Sequence, residues 1–163
     1  MRDRVWTELT QAKHSEAFAS LYAEQQRIYL KWFNMGVLVF STGGVMGWAI
    51  WDNVPLVSCI IIATVSLFRL LQPHIIMTEK QISNIDIIGS FYTDYYNKLE
   101  RLWFDIEHGS LKNEAIKGKF FKLKETESKI NNLVNETIKT KPKRLVNKAG
   151  QNSIVYFKRT FKT

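Results

Sequence analysis

The chain has 163 residues, 45% of them apolar, and a formal net charge of +8, which bounds it to one domain or at most two. The charge is not spread evenly. Residues 1–136 hold 15 Lys and Arg against 15 Asp and Glu, whereas the last 27 residues hold eight basic side chains and no acid. The single cysteine, Cys59, excludes an intramolecular disulfide, and its place in an apolar run reads as that of a small buried thiol.

The first 31 residues read as an amphipathic helix. Phe18, Leu21, Tyr22, Gln25, Ile28, Tyr29 and Trp32 recur at spacings of three and four, with Glu16, Glu24 and Arg27 elsewhere on the wheel. Nothing in this opening has the charged leader, short apolar core and small-residue cleavage site of a secretory signal, so whatever enters a membrane is expected to remain in the mature protein.

Residues 32–73 read as a transmembrane hairpin. The run WFNMGVLVFSTGGVMGWAIW, Trp32 to Trp51, is 20 residues long and carries no charge, and at about 1.5 Å per residue it matches a hydrocarbon layer of about 30 Å. Trp32, Trp48 and Trp51 stand near its ends, as interfacial aromatics do. The second span, about residues 54–72, is apolar except for Arg69. Between them lie Asp52 and Asn53, either able to cap the second helix, and then Pro55, which a first helical turn tolerates. So short a link forces an antiparallel pair. The same composition suits two core helices of a soluble protein, but nothing else in the chain is apolar enough to wrap them on all sides. The link carries no basic residue while the flanks carry Arg27, Lys31, Arg69 and Lys80, so both termini are expected in the cytoplasm.

Residues 74–139 read as a cytoplasmic antiparallel helical hairpin. Pro73 should kink or end the second span. Beyond it Ile82, Ile85, Ile88, Tyr92, Tyr95, Leu99, Leu102 and Ile106 form one apolar, tyrosine-rich face. Gly109 suits a helix C-cap and Ser110 the next N-cap. Ile116, Phe120, Leu123, Ile130 and Val134 then mark another stripe, with Glu127 where an apolar residue would complete it. Residues 140–163 read as a basic tail, with helix breakers and little periodicity, open to being a strand, a surface-lying segment or an induced structure. The expected fold class is thus an all-α membrane protein made of these four parts.

Chemistry of the catalytic kind is not expected. His14, His74 and His108 are scattered without metal-ligand spacing, no glycine-rich phosphate loop is present, and Asp105, Glu107 and His108 fall on different faces of a helix end. No enzyme activity, cofactor or small-molecule substrate is therefore predicted. Gly36, Gly43, Gly44 and Gly47 offer a face for close helix approach, between the two spans or between protomers. Asn34, Ser66 and other polar positions within the spans are candidates to line a water path in an oligomer. Arg69, fourteen residues past Pro55, lies about 21 Å along its helix and about 9 Å short of the inner boundary. It can snorkel to that boundary, or face an aqueous lumen or a partner carboxylate at the inner mouth. In the tail, Lys139, Lys141, Lys143, Arg144, Lys148, Lys158, Arg159 and Lys162 suit anionic head groups, with Tyr156, Phe157 and Phe161 entering the interface. The same combination suits the phosphates and bases of nucleic acid, or a protein partner.

An amphipathic aromatic helix, a tight two-span hairpin, and then the stretch FYTDYYNKLERLWFDIEHGSLKNEAI before a second soluble helix occur here in that order. In this order the chain resembles the SLATT-type two-transmembrane effectors of bacterial anti-phage systems, including those of nucleotide-signalling operons and retrons. The likeness covers roughly residues 15–140 and rests on architecture and on the Tyr95–Trp103 neighbourhood, not on a catalytic motif. It implies a protein held inactive until infection, which then oligomerises or rearranges to depolarise or permeabilise the membrane. It also implies a separate sensor or inhibitor, a protein or a protein–nucleic acid complex. The alternative is a non-conducting membrane adaptor that scaffolds a cytoplasmic protein or nucleic-acid partner.

Overall fold

The computed structural model describes residues 1–47 and 55–161, the side chains of residues 43–47 and 55–58 excepted. Among the described residues the secondary structure is wholly helical: α1 Arg2–Gly47, α2 Pro55–Ile75, α3 Glu79–Glu107, α4 Asn113–Thr137 and α5 Lys143–Thr160. The chain forms two compact units, one of residues 1–23 and 83–163 and one of residues 24–82.

In the first unit, α1, α3, α4 and α5 pack around a continuous apolar core. Val5, Leu9, Ala12, Phe18, Ala19 and Tyr22 of α1 are buried, so the inward stripe starts well before Phe18. On α3 the three-four repeat is buried from Ile82 through Leu102, and Tyr96 joins it. Gly89 of α3 faces Ala19 of α1, where an added Cβ would stand at an ordinary contact distance of 3.6 Å from the Ala19 Cβ. From α4, Ile116 and Phe120 are buried, while Leu123, Ile130 and Val134 are half-buried.

The helix ends follow local chemistry. Thr78 and Gln81 form a reciprocal capping box at the start of α3: the Thr78 N–H donates to Gln81 Oε1 at 2.8 Å, and the Gln81 N–H donates to Thr78 Oγ1 at 3.3 Å. At its other end Gly109 takes φ +64°, and Ser110 N–H to Asp105 O and Gly109 N–H to Ile106 O complete a Schellman turn. Ser110 is consumed by that turn. The N-cap of α4 is instead Lys112, which makes no side-chain cap.

The basic segment is an ordered helix rather than an irregular tail. Its inward stripe is Leu145, Ala149, Ser153 and Phe157, one residue every four. The stripe escapes a hydrophobicity reading because its middle is small and polar. The two breakers are accommodated. Pro142 sits at the N-cap, where no N–H is required, and a Cβ on Gly150 would meet only the His14 ring at 3.9 Å. Rings lock the C-terminal half of α5 in place. Trp6 lies 4.8 Å from Trp103, 5.5 Å from Phe157 and 5.3 Å from Phe161, and Lys13 Nζ sits 4.2 Å above the Tyr156 ring.

The second unit has the opposite polarity. Ile28, Tyr29, Trp32, Leu38, Val39 and Phe40 of α1, and Ile60, Ile62, Leu67, Phe68, Leu70 and Ile75 of α2, are exposed, so the repeat that faces inward at Phe18 and Tyr22 turns outward from Ile28 onward. Cys59 is exposed as well, not buried. Proline at the first position of α2 is compatible with a helix start. Pro73 neither ends the helix nor stands outside it, since α2 continues to Ile75. One helix among the described residues is long and apolar enough to cross a membrane, and none of its apolar window is buried. Asp52, Asn53, Trp48 and Trp51 lie outside the described residues.

Truncating the core and the surface of α3 separates packing from helix propensity. Leu99→Ala, at a site with no exposure, should cost about 2–5 kcal/mol. Ile87→Ala, 52% exposed, should stay within about 0.5 kcal/mol. Thermal unfolding of the detergent-solubilised protein, followed by circular dichroism, distinguishes the two.

Candidate functional site

Three features concentrate chemistry, and each is set by the helices that carry it. The first is the face between α1 and α2 within the apolar unit. Trp32, Phe33, Gly36, Val37 and Phe40 from α1 and Ile60, Ile61, Thr64, Val65 and Phe68 from α2 line one cavity of about 370 Å³. The hydroxyl of Thr64, the one hydroxyl among these side chains, donates to Ile60 O at 2.7 Å. The hydroxyls of Ser41 and Thr42 likewise donate to carbonyls of their own helix, Val37 O and Leu38 O. Gly36 lies on this cavity, and a Cβ added to it would meet nothing within 4 Å. Its missing side chain therefore leaves a hollow instead of letting α1 and α2 touch.

Asn34, Ser66 and Arg69 do not line that cavity. All three are exposed on the outer surfaces of α1 and α2, and Arg69 stands beside the exposed Phe68 and Leu70 with no ion pair among the described residues. The last turns of α1 contain Gly43, Gly44 and Gly47, whose surroundings lie outside the described residues.

The second feature is the outer face of α5 and the link before it. Lys139, Lys141, Lys143, Arg144, Lys148, Lys158 and Arg159 are all exposed, and among the described residues none of them is in an ion pair. Lys158 and Arg159 fall in the last turn, where they also offset the helix dipole. Lys162 lies outside the described residues. Of Tyr156, Phe157 and Phe161, read from sequence as interfacial or stacking rings, Phe157 is buried in the core of the unit and the other two are half-buried against its rings.

The third feature is a charged knot that ties α1, α3 and α4. Glu8, only 7% exposed, accepts from Tyr95 at 3.2 Å and from Lys124 at 2.9 Å. Lys124 also reaches Glu127 at 2.8 Å. Burial works against the Lys124 ammonium, yet its hydrogen bonds to Glu127 and Glu8 outweigh that and hold its pKa above the ordinary lysine value. Burial, followed by the nearby Glu8, pushes the Tyr95 hydroxyl far up. Burial and Glu127 raise Tyr92 as well. Glu127 is therefore not a gap in the α4 stripe but the second carboxylate of this knot. Beside it, Thr10, Gln11, His14, Ser15, Tyr92 and Glu127 line a polar hollow of about 390 Å³. Sequence reasoning had no signal for Glu8, whose partners lie 87 and 116 positions away.

The histidines and the acidic helix end are engaged separately. His14 Nε2 lies 3.3 Å from Val146 O, and His108 Nδ1 lies 2.9 Å from Phe104 O. Asp105 pairs with Lys119 and Glu107 with Arg2. Among the described residues no group of three His, Cys, Asp or Glu is arranged to hold a metal ion.

The class that fold and sites define is an all-helical protein with, among the described residues, one helix long and apolar enough to cross a membrane and a compact helical unit with its own core. Comparison with protein-family models, curated proteins and solved structures finds no match to this chain.

Lys124→Met should destabilise the helical unit by about 1–3 kcal/mol, because it leaves the Glu8 carboxylate buried without its counter-charge. Adding Glu8→Gln should recover part of the loss, a coupling that a double-mutant cycle measures. Because the folded-state pKa of Lys124 is raised, its stabilising contribution is complete below the unfolded value of about 10.4 and is lost as pH climbs through the folded one. Unfolding in denaturant across alkaline pH should show that loss in the native chain and not in Lys124→Met.

Proposed function

We propose that this chain is a multi-pass membrane effector of bacterial anti-phage defence. In this reading α1 and α2 cross the inner membrane as a two-helix hairpin with both termini in the cytoplasm. On activation the chain oligomerises or rearranges to permeabilise or depolarise that membrane, and the host dies or stops growing. The observation that carries the reading is the apolar hollow beside Gly36. A 370 Å³ apolar space flanked by outward aliphatic and aromatic side chains is left unfilled by the described residues, and apolar side chains from a helix of a second protomer match it in chemistry. Two spans are too few to enclose a channel, so conduction requires several copies. Asn34, Ser66 and Arg69 point away from the intramolecular cavity, which suits positions that meet water only at contacts between protomers, with Arg69 at the inner mouth. Gly43, Gly44 and Gly47 extend the helix-packing face. The sensor or inhibitor acts through the helical unit, and no cofactor or small-molecule substrate is required.

A second reading, a non-conducting adaptor that scaffolds a cytoplasmic partner, draws on Phe121 and Ile87, which are 50% and 52% exposed on the helical unit. The two readings part on conduction. The effector is expected to assemble in mild detergent and to pass ions when reconstituted in liposomes. Its expression should be toxic, and Arg69→Ala or Gly36→Leu should relieve the toxicity at unchanged protein levels. A stable monomer that passes no ions under any trigger, together with harmless overexpression, would leave only the adaptor.

A further inference from the structure

We propose that the outward face of α5 is a binding face for double-stranded DNA. On an 18-residue helix whose stripe Leu145, Ala149, Ser153 and Phe157 faces inward, the 100° step per residue places Arg144, Lys148, Gln151, Val155 and Arg159 along the opposite ridge. Asn152 and Lys158 flank that ridge. The two ends of the ridge are about 22 Å apart. No acid occurs from Thr137 onward, and none of these cations is in an ion pair among the described residues.

Three anionic partners fit such a charge, and the structure separates them. A helix that lies on a lipid surface must turn its apolar stripe toward the acyl chains. Here that stripe is committed to the core, and the exposed ridge has an amide at its centre. Single-stranded nucleic acid is held by stacking on aromatic rings, and Tyr156, Phe157 and Phe161 are instead packed against Tyr96 and Trp6. What remains outward, beside the exposed Ile154 and Val155, is a ridge of guanidinium, ammonium and carboxamide groups on a rigid helix. That is the set that contacts phosphates and reads base edges from within a major groove. The B-form groove admits a helix, whereas the deep, narrow major groove of an A-form duplex does not. The inference does not depend on conduction, and it holds equally for the effector and the adaptor.

The test uses the full chain in phosphatidylcholine nanodiscs and a fluorescent duplex of about 25 base pairs, with anisotropy read from about 50 to 300 mM salt. Binding is expected to weaken linearly on logarithmic axes with a slope of about −2.7 to −4.5, as for about three to five neutralised phosphates. The double variant Lys148→Gln with Arg159→Gln, exposed positions whose exchange leaves the packed stripe untouched, should flatten that slope by about 1.8. No binding at the lowest salt, or an unchanged slope in the double variant, would overturn the proposal. Tighter binding to a single strand of the same length would also overturn it. So would capture by phosphatidylglycerol vesicles without capture of the duplex, which would assign the face to lipid. Circular dichroism and a conduction measurement on the same variant keep loss of the face distinct from loss of the fold or of the membrane activity.

Discussion

Apolar side chains must be taken out of water, at about 25 cal/mol for each Å² removed, and this chain meets that demand in two opposite ways. Residues 1–23 and 83–163 turn their aliphatic and aromatic side chains toward one another and keep charge on the surface. Residues 24–82 turn most of theirs outward along α1 and α2, with Leu30 and Val37 among the few that are buried. A surface of that kind is stable only against lipid or against another apolar protein surface. Everything proposed about location and assembly depends on that requirement, including the role of the hollow at Gly36, which such a partner is needed to fill.

The helical unit places its few buried charges where they constrain packing. Glu8 on α1 is held by Tyr95 from α3 and Lys124 from α4, so one carboxylate fixes the register of three helices. Truncating one partner of such a knot is more costly than its net contribution suggests, because the remaining charge stays buried. Less than one turn away on α1, Trp6, with Trp103, Phe157 and Phe161, docks α5. The two devices are complementary. The aromatic cluster contributes area without directional demand, and the charged knot contributes direction with little area.

Docking α5 in this way also decides what the basic segment can present. With its rings engaged in the core, the segment offers outward cations and amides on a fixed scaffold rather than a flexible mixture of charge and aromatic surface. This narrows the partners it suits, because stacking and interfacial insertion both need the rings that the core has taken.

The sequence alone was enough to mark the uncharged run from Trp32 to Trp51, the inward face of α3 from Ile82 to Leu102, and the glycine that ends that helix, since each is a local pattern of period or backbone conformation. It also located all the net charge in the last 27 residues. Tertiary structure decided the rest. Whether the stripe of α1 faces in or out changes near Ile28 with no break in the helix, and only the neighbours of each turn settle which. The helicity of α5 rests on contacts that its small residues make with distant helices, and its own hydrophobicity does not announce them. The roles of Glu8 and Glu127 are likewise legible only in three dimensions, because an ion pair between helices has no spacing along the chain.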